Sequence, residues 1–185
     1  AYAFSKLHFP GKNIFYMAVI SLMMIPGILT LVPSFMLYKS LIGLDNYMIL
    51  ILPQIVGPVF GVFLLRSFFE GIPEDIFEAS RIDGAGEFKI YMKVCLPLSL
   101  PIMGTLAIMQ ITNAWNDYMW PMITIKNNDL MTISAGLMLN YVGPTNSNYP
   151  IITAGYLVAS IPLIFIFIFA NKFFIQGLTG SAMKL

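Results

Sequence analysis

The 185-residue chain has very little charge and almost no cysteine or histidine. Only 10% of its residues are Asp, Glu, Lys or Arg, whereas a typical soluble domain carries about 25%. A net charge of +1 supplies no concentrated basic surface, so nucleic acid is not expected as a partner. With one cysteine, Cys95, and one histidine, His8, neither a Cys–His metal cluster nor a nucleophilic triad is expected. These absences argue against an enzyme.

Apolar residues, by contrast, make up 58% of the chain, and the mean hydropathy is +0.80. Charged residues are so widely spaced that the intervals between them mark four continuous apolar stretches. Each is long enough for a helix to cross the roughly 30 Å hydrocarbon core of a bilayer. The sequence therefore predicts an all-α membrane protein, a helical bundle with about four transmembrane helices. The predicted spans are residues 14–38, 47–69, 94–116 and 151–172.

The basic residues indicate how these spans are oriented. Four crossings place both ends of the chain and residues 66–93 on one side, which collects eight of the ten Lys and Arg residues. Only Lys39 and Lys126 lie on the other side. Because Lys and Arg concentrate in cytoplasmic loops, both ends and residues 66–93 are predicted to be cytoplasmic. Residues 117–150 are then an outer loop.

Residues 70–93, referred to below as loop 70–93, hold six of the nine acidic residues. Pro73 suits the first position of a helix, and Glu74 follows it at the positive end of the helix dipole. The glycine-rich residues 84–86 permit a sharp turn. A second short helix is predicted over residues 87–94.

An apolar stripe at helical spacing runs along the first predicted helix of this loop, formed by Ile72, Ile76, Ala79 and Ile82. Such a stripe would leave apolar surface in water unless something covers it. Membrane headgroups and a partner protein are both open as the cover.

The loop also contains an ordered motif: Glu78-Ala79-Ser80, three residues, Gly84, nine residues, then Val94-Cys95-Leu96-Pro97. This resembles the EAA loop of bacterial ABC importer permeases, whose pattern is Glu-Ala-Ala, three residues, Gly, nine residues, Ile-x-Leu-Pro. Ser80 and Val94 depart from the pattern by small changes that keep the helix and its packing. Asp83, beside the glycine, is typical of the carbohydrate branch of this family.

The resemblance extends over nearly the whole chain. Further segments are similar to the shorter permease subunit of maltose-type and glycerol-phosphate-type importers. They are AYAFSKLHFPGKN (1–13), MMIPG (23–27), AWNDYMWP (114–121) and FIQGLTGSAMK (174–184). Members of this branch usually have six spans, so the first span and most of the second are expected to be missing here.

The resemblance implies the transmembrane permease subunit of an ATP-driven importer. It would move a sugar or sugar derivative across the bacterial plasma (inner) membrane by alternating access. The implied partners are cytoplasmic ATPase subunits, a second homologous permease subunit, an extracellular solute-binding protein, the sugar substrate and membrane lipid. No cofactor is expected on this chain, because ATP and Mg would be used by the ATPase, and no GxxxxGK[ST] phosphate loop is present.

Three sets of functional residues follow. The resemblance implies an ATPase-coupling set of Glu78, Ala79, Ser80, Asp83, Gly84, Val94, Leu96 and Pro97, with Glu78, Ala79 and Gly84 at its centre. In the outer loop it implies Gly143, Pro144 and Asn146 as contacts of the binding protein. Gln110 and Asn113 are candidates for the sugar path, because polar groups at membrane depth tend to face protein or a water-filled cavity. Hydrogen bonding between helices is the alternative role of these two side chains.

Other kinds of membrane protein remain as alternatives. An ABC permease for a non-sugar solute would share the loop motif but not the carbohydrate-type segments. A secondary transporter working without ATP would need ionisable residues at mid-membrane and an internal repeat, and the four predicted spans show neither. A membrane scaffold or sensor would not need the motif residues at this particular spacing.

Overall fold

The computed structural model describes residues 1–56, 59–142 and 148–182, with side chains through residue 170 apart from Val56. The described residues form helices and turns with no strand among them, which confirms the predicted all-α class. The α-helices are Tyr2–Lys6, Lys12–Ser21, Gly27–Ile42, Met48–Val56, Val59–Gly71, Glu74–Ile82, Glu87–Ile90, Leu96–Leu98, Leu100–Asn116, Met119–Thr124, Ile133–Tyr141 and Tyr149–Ala182. Short 3-10 turns occupy Leu22–Met24 and Asn128–Leu130, and a π-helical turn occupies Tyr91–Cys95.

Two helical stretches are long and apolar enough to cross a membrane, Met48–Gly71 and Tyr149–Ala170. Two further stretches qualify if each pair of helices joined at a sharp bend counts as one span. The described residues therefore contain two to four candidate spans, which agrees with the predicted number. The limits of the spans remain a prediction.

Proline interrupts the first predicted span, residues 14–38. The helical stretch ends at Met24, and a new helix begins at Gly27 after Pro26, whose backbone is extended (φ −59°, ψ 127°). A proline also disfavours helical geometry in the residue before it. Pro33, in the same predicted span, lies inside helix Gly27–Ile42, so only Pro26 breaks the helix.

The third predicted span, residues 94–116, is also bent. The axis turns by 70° between Glu87–Leu98 and Leu100–Asn116, with Ser99 at the bend. Pro101 follows two residues later and has no N–H to donate to the preceding turn.

The contacts divide the chain into two compact units. The first comprises residues 1–24, 58–108 and 170–185, and the second comprises residues 25–57 and 109–169. The core of the first unit lies around loop 70–93 and consists of Phe69, Ile72, Phe77, Ile90 and Cys95, with the ring of Tyr2 packed against it.

Loop 70–93 folds as a helix, a glycine turn and a second helix. Pro73 is the residue that precedes the first loop helix, Glu74–Ile82, and not its first helical residue as predicted. Gly84 makes the turn with a φ of +75°, in the left-handed region that residues with a side chain rarely adopt. The second loop helix, Glu87–Ile90, continues directly into the π-helical turn.

In the second unit, the predicted outer loop is largely helical, over Met119–Thr124 and Ile133–Tyr141. Asp45 ties the chain to this region, because its carboxylate accepts hydrogen bonds from the backbone N–H groups of Lys126 and Asn127. These two bonds lower the pKa of Asp45. Residues 126 and 127 are therefore tied to Asp45 by contacts that the local Asn- and Gly-rich composition does not reveal.

The glycine turn provides a stability test with a matched control. A Cβ at Gly84 or at Gly86 would meet no atom within 4 Å, but only Gly84 has a left-handed backbone. We expect Gly84→Ser to lower the free energy of unfolding by about 1 kcal/mol, because a side chain strains this conformation. Gly86→Ser should not destabilise, since residue 86 is extended and caps the second loop helix. Thermal unfolding of the purified variants in lipid nanodiscs measures both changes in stability. If the two variants lose the same stability, the left-handed backbone at residue 84 does not require glycine.

Candidate functional site

The first loop helix has apolar side chains on two opposite faces. On the inner face, Phe77 is fully buried in the core of the first unit. On the outer face, Ile82 is 86% exposed, and Glu78 and Ala79 are exposed beside it. A helix with one apolar face can satisfy that face by packing on its own chain. The second apolar face here has no such cover among the described residues.

The second loop helix carries another exposed apolar side chain, Phe88, which lines a cavity beside Ala1, Tyr2 and Ala3. Phe88 is 77% exposed, and Asp83 and Gly84 in the intervening turn are exposed as well. The outer face of the first loop helix therefore combines Ile82 with the carboxylate of Glu78, and the exposed turn that follows adds Asp83 and Gly84.

The predicted apolar stripe is wrong in one respect. Ile72 precedes Pro73 and the start of the helix, so it is not aligned with the other stripe residues and is buried in the core. Ile76 is 39% exposed, at the edge of the outer face. Phe77 is the main buried side chain of the helix, although the sequence analysis did not single it out.

The remaining motif residues lie within the first loop helix or follow the second one. Ser80, where the family pattern has Ala, donates a 2.8 Å hydrogen bond from its hydroxyl to the carbonyl of Ile76. Val94 packs against the buried core, Leu96 is half-buried and Pro97 is exposed. The two departures from the motif are thus compatible with its local packing.

A chain of charged hydrogen bonds runs along the inner side of the loop. The ammonium of Lys6 donates to Glu74 Oε2 at 3.0 Å, and Arg81 donates from a terminal guanidinium nitrogen to Glu74 Oε1 at 3.1 Å. Arg81 Nε donates to Glu87 Oε1 at 2.9 Å, and the hydroxyl of Tyr2 donates to Glu87 Oε2, also at 2.9 Å. The network links both loop helices to the N-terminal helix, Tyr2–Lys6.

These contacts shift the pKa values of the groups involved. Partial burial alone would raise the pKa of Glu74, but the hydrogen bonds from Lys6 and Arg81 together lower it. The hydrogen bond from Arg81, with that from Tyr2, lowers the pKa of Glu87. Burial and the bond to Glu87 raise the pKa of Tyr2. Both carboxylates are therefore charged at neutral pH.

The sequence analysis missed Tyr2, Lys6 and Arg81 as parts of this site. Lys6 lies 68 positions from Glu74 in the chain, and Tyr2 lies 85 positions from Glu87. No local spacing rule connects residues this far apart.

Of the other predicted site residues, Gln110 and Asn113 lie in the second unit. The side-chain amide of Gln110 donates to that of Gln54, a residue that the sequence analysis did not name, and both are half-buried. Asn113 is exposed. Gly143, Pro144 and Asn146 lie outside the described residues. The side chain of Gln110 is thus hydrogen-bonded to a neighbouring helix, whereas the side chain of Asn113 is exposed.

The two tryptophans, Trp115 and Trp120, both have specific partners within the second unit. The indole N–H of Trp115 donates to the carbonyl of Ala159 at 3.1 Å, and that of Trp120 donates to the carbonyl of Ile49 at 2.8 Å. Across the described residues, no group of three His, Cys, Asp or Glu side chains is placed to hold a metal ion.

The lowered pKa values predict how stability changes in acid. A carboxylate with a lowered pKa stabilises the fold above its ordinary value of 4.5, and this contribution is lost as the pH falls through the lowered value. At pH 7 we expect the Glu74→Gln/Glu87→Gln double variant to be less stable than wild type by about 1 kcal/mol, since both side chains are partly exposed. The difference should shrink as the pH falls below 4.5 and should vanish once both carboxyl groups are protonated in the folded protein.

Thermal unfolding of both proteins in nanodiscs between pH 7 and pH 3.5 measures this difference. Glu78→Gln, which removes a carboxylate of the outer face that takes no part in this network, is the control for the loss of a negative charge. A difference that stays the same at every pH in the double variant would contradict the proposed pairing.

Curated relatives match almost all of this chain. It is 37% identical over 183 residues to the arabinooligosaccharides transport system permease protein AraQ of Halalkalibacterium halodurans, covering 99% of this chain and 65% of the relative. It is 30% identical over 184 residues to the sn-glycerol-3-phosphate transport system permease protein UgpE of Yersinia enterocolitica, covering 98% and 64%. The alpha-glucoside transport system permease protein AglG of Rhizobium meliloti is 28% identical, with 100% and 50% covered. The chain therefore spans 65% or less of the length of these relatives.

A solved structure shares the fold. It is a bacterial ABC transporter involved in the import of the acidic polysaccharide alginate, one chain of which superposes with a TM-score of 0.74 at 25% identity. The match covers 94% of this chain and 65% of that one. In addition, the family described as binding-protein-dependent transport system inner membrane component matches residues 1–180. The fold, the relatives and this match over nearly the full length agree, and the chain belongs to that family of inner membrane transport components.

Proposed function

We propose that this chain is the permease subunit of an ATP-driven importer and that loop 70–93 is its docking site for a cytoplasmic ATPase subunit. The observation that carries the proposal is the outer face of the first loop helix, where Ile82 is 86% exposed beside Glu78 and Ala79 and next to the exposed turn at Asp83 and Gly84. A well-anchored short helix that presents an uncovered apolar side chain with flanking carboxylates suits a protein partner better than water.

The orientation of the chain is part of the proposal. Eight of its ten basic residues fall on the side that carries both ends and residues 66–93, which is the cytoplasmic side by the distribution of Lys and Arg. The loop then faces the compartment that contains ATP. Hydrolysis, with its Mg, belongs to the ATPase partner, and a second homologous permease subunit completes the membrane pathway.

The mechanism follows from a rigid connection between the docking surface and the membrane helices. When the ATPase subunits close on ATP, the docked loop moves with them. Loop 70–93 joins directly to Val59–Gly71 on one side and, through Tyr91–Cys95, to Leu100–Asn116 on the other. Movement of the loop is therefore passed to two membrane helices, which opens the pathway first to the outside and then to the inside.

For the substrate we propose a sugar or sugar derivative, as the names of the arabinooligosaccharide, alpha-glucoside and sn-glycerol-3-phosphate permeases suggest. We propose that the path is lined by two amide side chains near the end of helix Leu100–Asn116, Gln110 and Asn113. Gln54, which is hydrogen-bonded to Gln110, is proposed to line it as well. An extracellular solute-binding protein would deliver the substrate, with Gly143, Pro144 and Asn146 as its proposed contacts.

A charge reversal on the outer face tests the docking proposal. We expect Glu78→Lys to reduce the ATPase subunit that co-purifies with the importer by about tenfold, because central interface residues commonly contribute more than 1 kcal/mol. Uptake of labelled oligosaccharide by cells should fall with it. Asp129→Lys makes the same change at an exposed carboxylate in the outer segment and should affect neither. If Glu78→Lys retains both the ATPase and uptake, the loop is not the docking site.

A second prediction concerns the sugar path. Asn113→Leu should lower uptake while the ATPase still co-purifies, because the exposed amide is not needed for assembly. The control is Asn116→Leu on the same helix, whose amide already donates to the carbonyl of Thr112. Unchanged uptake in Asn113→Leu, or an equal loss in both variants, would remove Asn113 from the proposed path.

A further inference from the structure

The joint between the membrane helix Val59–Gly71 and the first loop helix consists of only two residues, Ile72 and Pro73. Pro73 has no backbone N–H, so it cannot donate a hydrogen bond back to the membrane helix. The N–H of Ile72 donates to the carbonyl of Phe69 at 3.1 Å. A two-residue joint of this kind would leave the loop helix free to pivot unless a second attachment crosses it.

Lys6 supplies an attachment at this joint. Its residue is only 7% exposed, and its ammonium donates a 2.8 Å hydrogen bond to the carbonyl of Ile72. The same ammonium bonds to Glu74, the first residue of the loop helix, and lies 4.4 Å from the centre of the Phe77 ring. One cation is thus in contact with the joint, with the first turn of the loop helix and with its buried face.

Tyr2 supplies another attachment on the second loop helix. Its hydroxyl donates to Glu87, and its ring lies 5.1 Å from that of Tyr91. The ring also packs edge-on against Phe69 of the membrane helix, at a centroid distance of 6.3 Å. The N-terminal helix therefore contacts both loop helices, with Lys6 bonded to the first and Tyr2 bonded to the second, and the helix itself packs along Val59–Gly71.

A buried ammonium has a strong requirement for these partners. Removing a lysine from water is costly unless hydrogen bonds and an opposite charge replace its hydration. The site satisfies Lys6 with a carbonyl, a carboxylate and an aromatic face. Movement of the loop helix away from the joint would separate the ammonium from these partners, so the site resists that movement.

We propose that the N-terminal helix fixes the angle between the loop and the membrane helix, with Lys6 and Tyr2 as positioning residues for force transmission. This inference rests on the proposed docking of loop 70–93 to an ATPase. Without the contacts of Lys6 and Tyr2 the docking surface would be unchanged. Closure of the ATPase would then bend the joint and would move the membrane helices less. Neither residue lies in the outer face, so the role is distinct from docking.

The test uses the complete importer, with its ATPase, second permease and binding protein, reconstituted in liposomes. Lys6→Met keeps the length of the side chain without its charge, and Lys6→Arg restores the charge. We expect Lys6→Met to retain the ATPase but to lower the amount of sugar imported per ATP hydrolysed by about fivefold, as loss of a charged hydrogen bond implies. Lys6→Arg should recover part of that ratio. Arg66→Met removes a cation of the same unit that pairs with Glu70 instead, and should leave the ratio unchanged.

Hydrogen–deuterium exchange of the permease without ATPase gives an independent readout. Amides of the first loop helix should exchange about fivefold faster in Lys6→Met than in wild type. If Lys6→Met does not fold, Tyr2→Phe removes a single hydroxyl and should give a change of the same sign of about twofold. Unchanged exchange, or an unchanged import ratio despite faster exchange, overturns the proposal.

The two proposals fail in different ways. If Glu78→Lys has no effect on ATPase binding, docking fails, and the exchange experiment still reports whether Lys6 fixes the joint. If Lys6→Met loses the ATPase to the same extent as Glu78→Lys, Lys6 belongs to docking and the positioning role is overturned.

Discussion

The burial of the Lys6 ammonium is the interaction on which the geometry of loop 70–93 depends. A lysine is rarely found this deeply buried, because its charge must be satisfied when water is removed. Here the carbonyl of Ile72 and the carboxylate of Glu74 meet that need, and both are at the start of the loop. The orientation of the first loop helix follows from where these two acceptors must be.

Aromatic side chains pack beside the buried ammonium of Lys6 and hold its surroundings in place. Phe77 is fully buried, and the rings of Tyr2 and Phe69 pack beside it. Each contact is weak by itself, but packed aromatic side chains resist displacement because any shift opens a gap. Polar and apolar contacts thus act on the same two helices, and the outer face stays available because none of its side chains is needed for packing.

Local sequence patterns predicted the all-α class, the helix–turn–helix and the glycine turn, because each depends on neighbouring residues. The first predicted span contains Pro26 and Pro33, and a local signal shows which of them breaks the helix: the dipeptide Pro26-Gly27 is typical of a turn, whereas Pro33 has no glycine beside it. The contacts of Lys6 and Tyr2 could not be predicted in this way. They join segments about 70 to 85 positions apart, and only the packing of the folded chain brings them together.

The two apolar faces of the first loop helix have a consequence for biosynthesis. Phe77 on the inner face is buried once the chain folds, whereas Ile82 on the outer face stays exposed in the chain by itself. A subunit made in excess would present this surface to chaperones and proteases, which act on exposed apolar segments. The surface proposed for docking would therefore also mark every unassembled copy for removal, and subunit ratios would be corrected after synthesis.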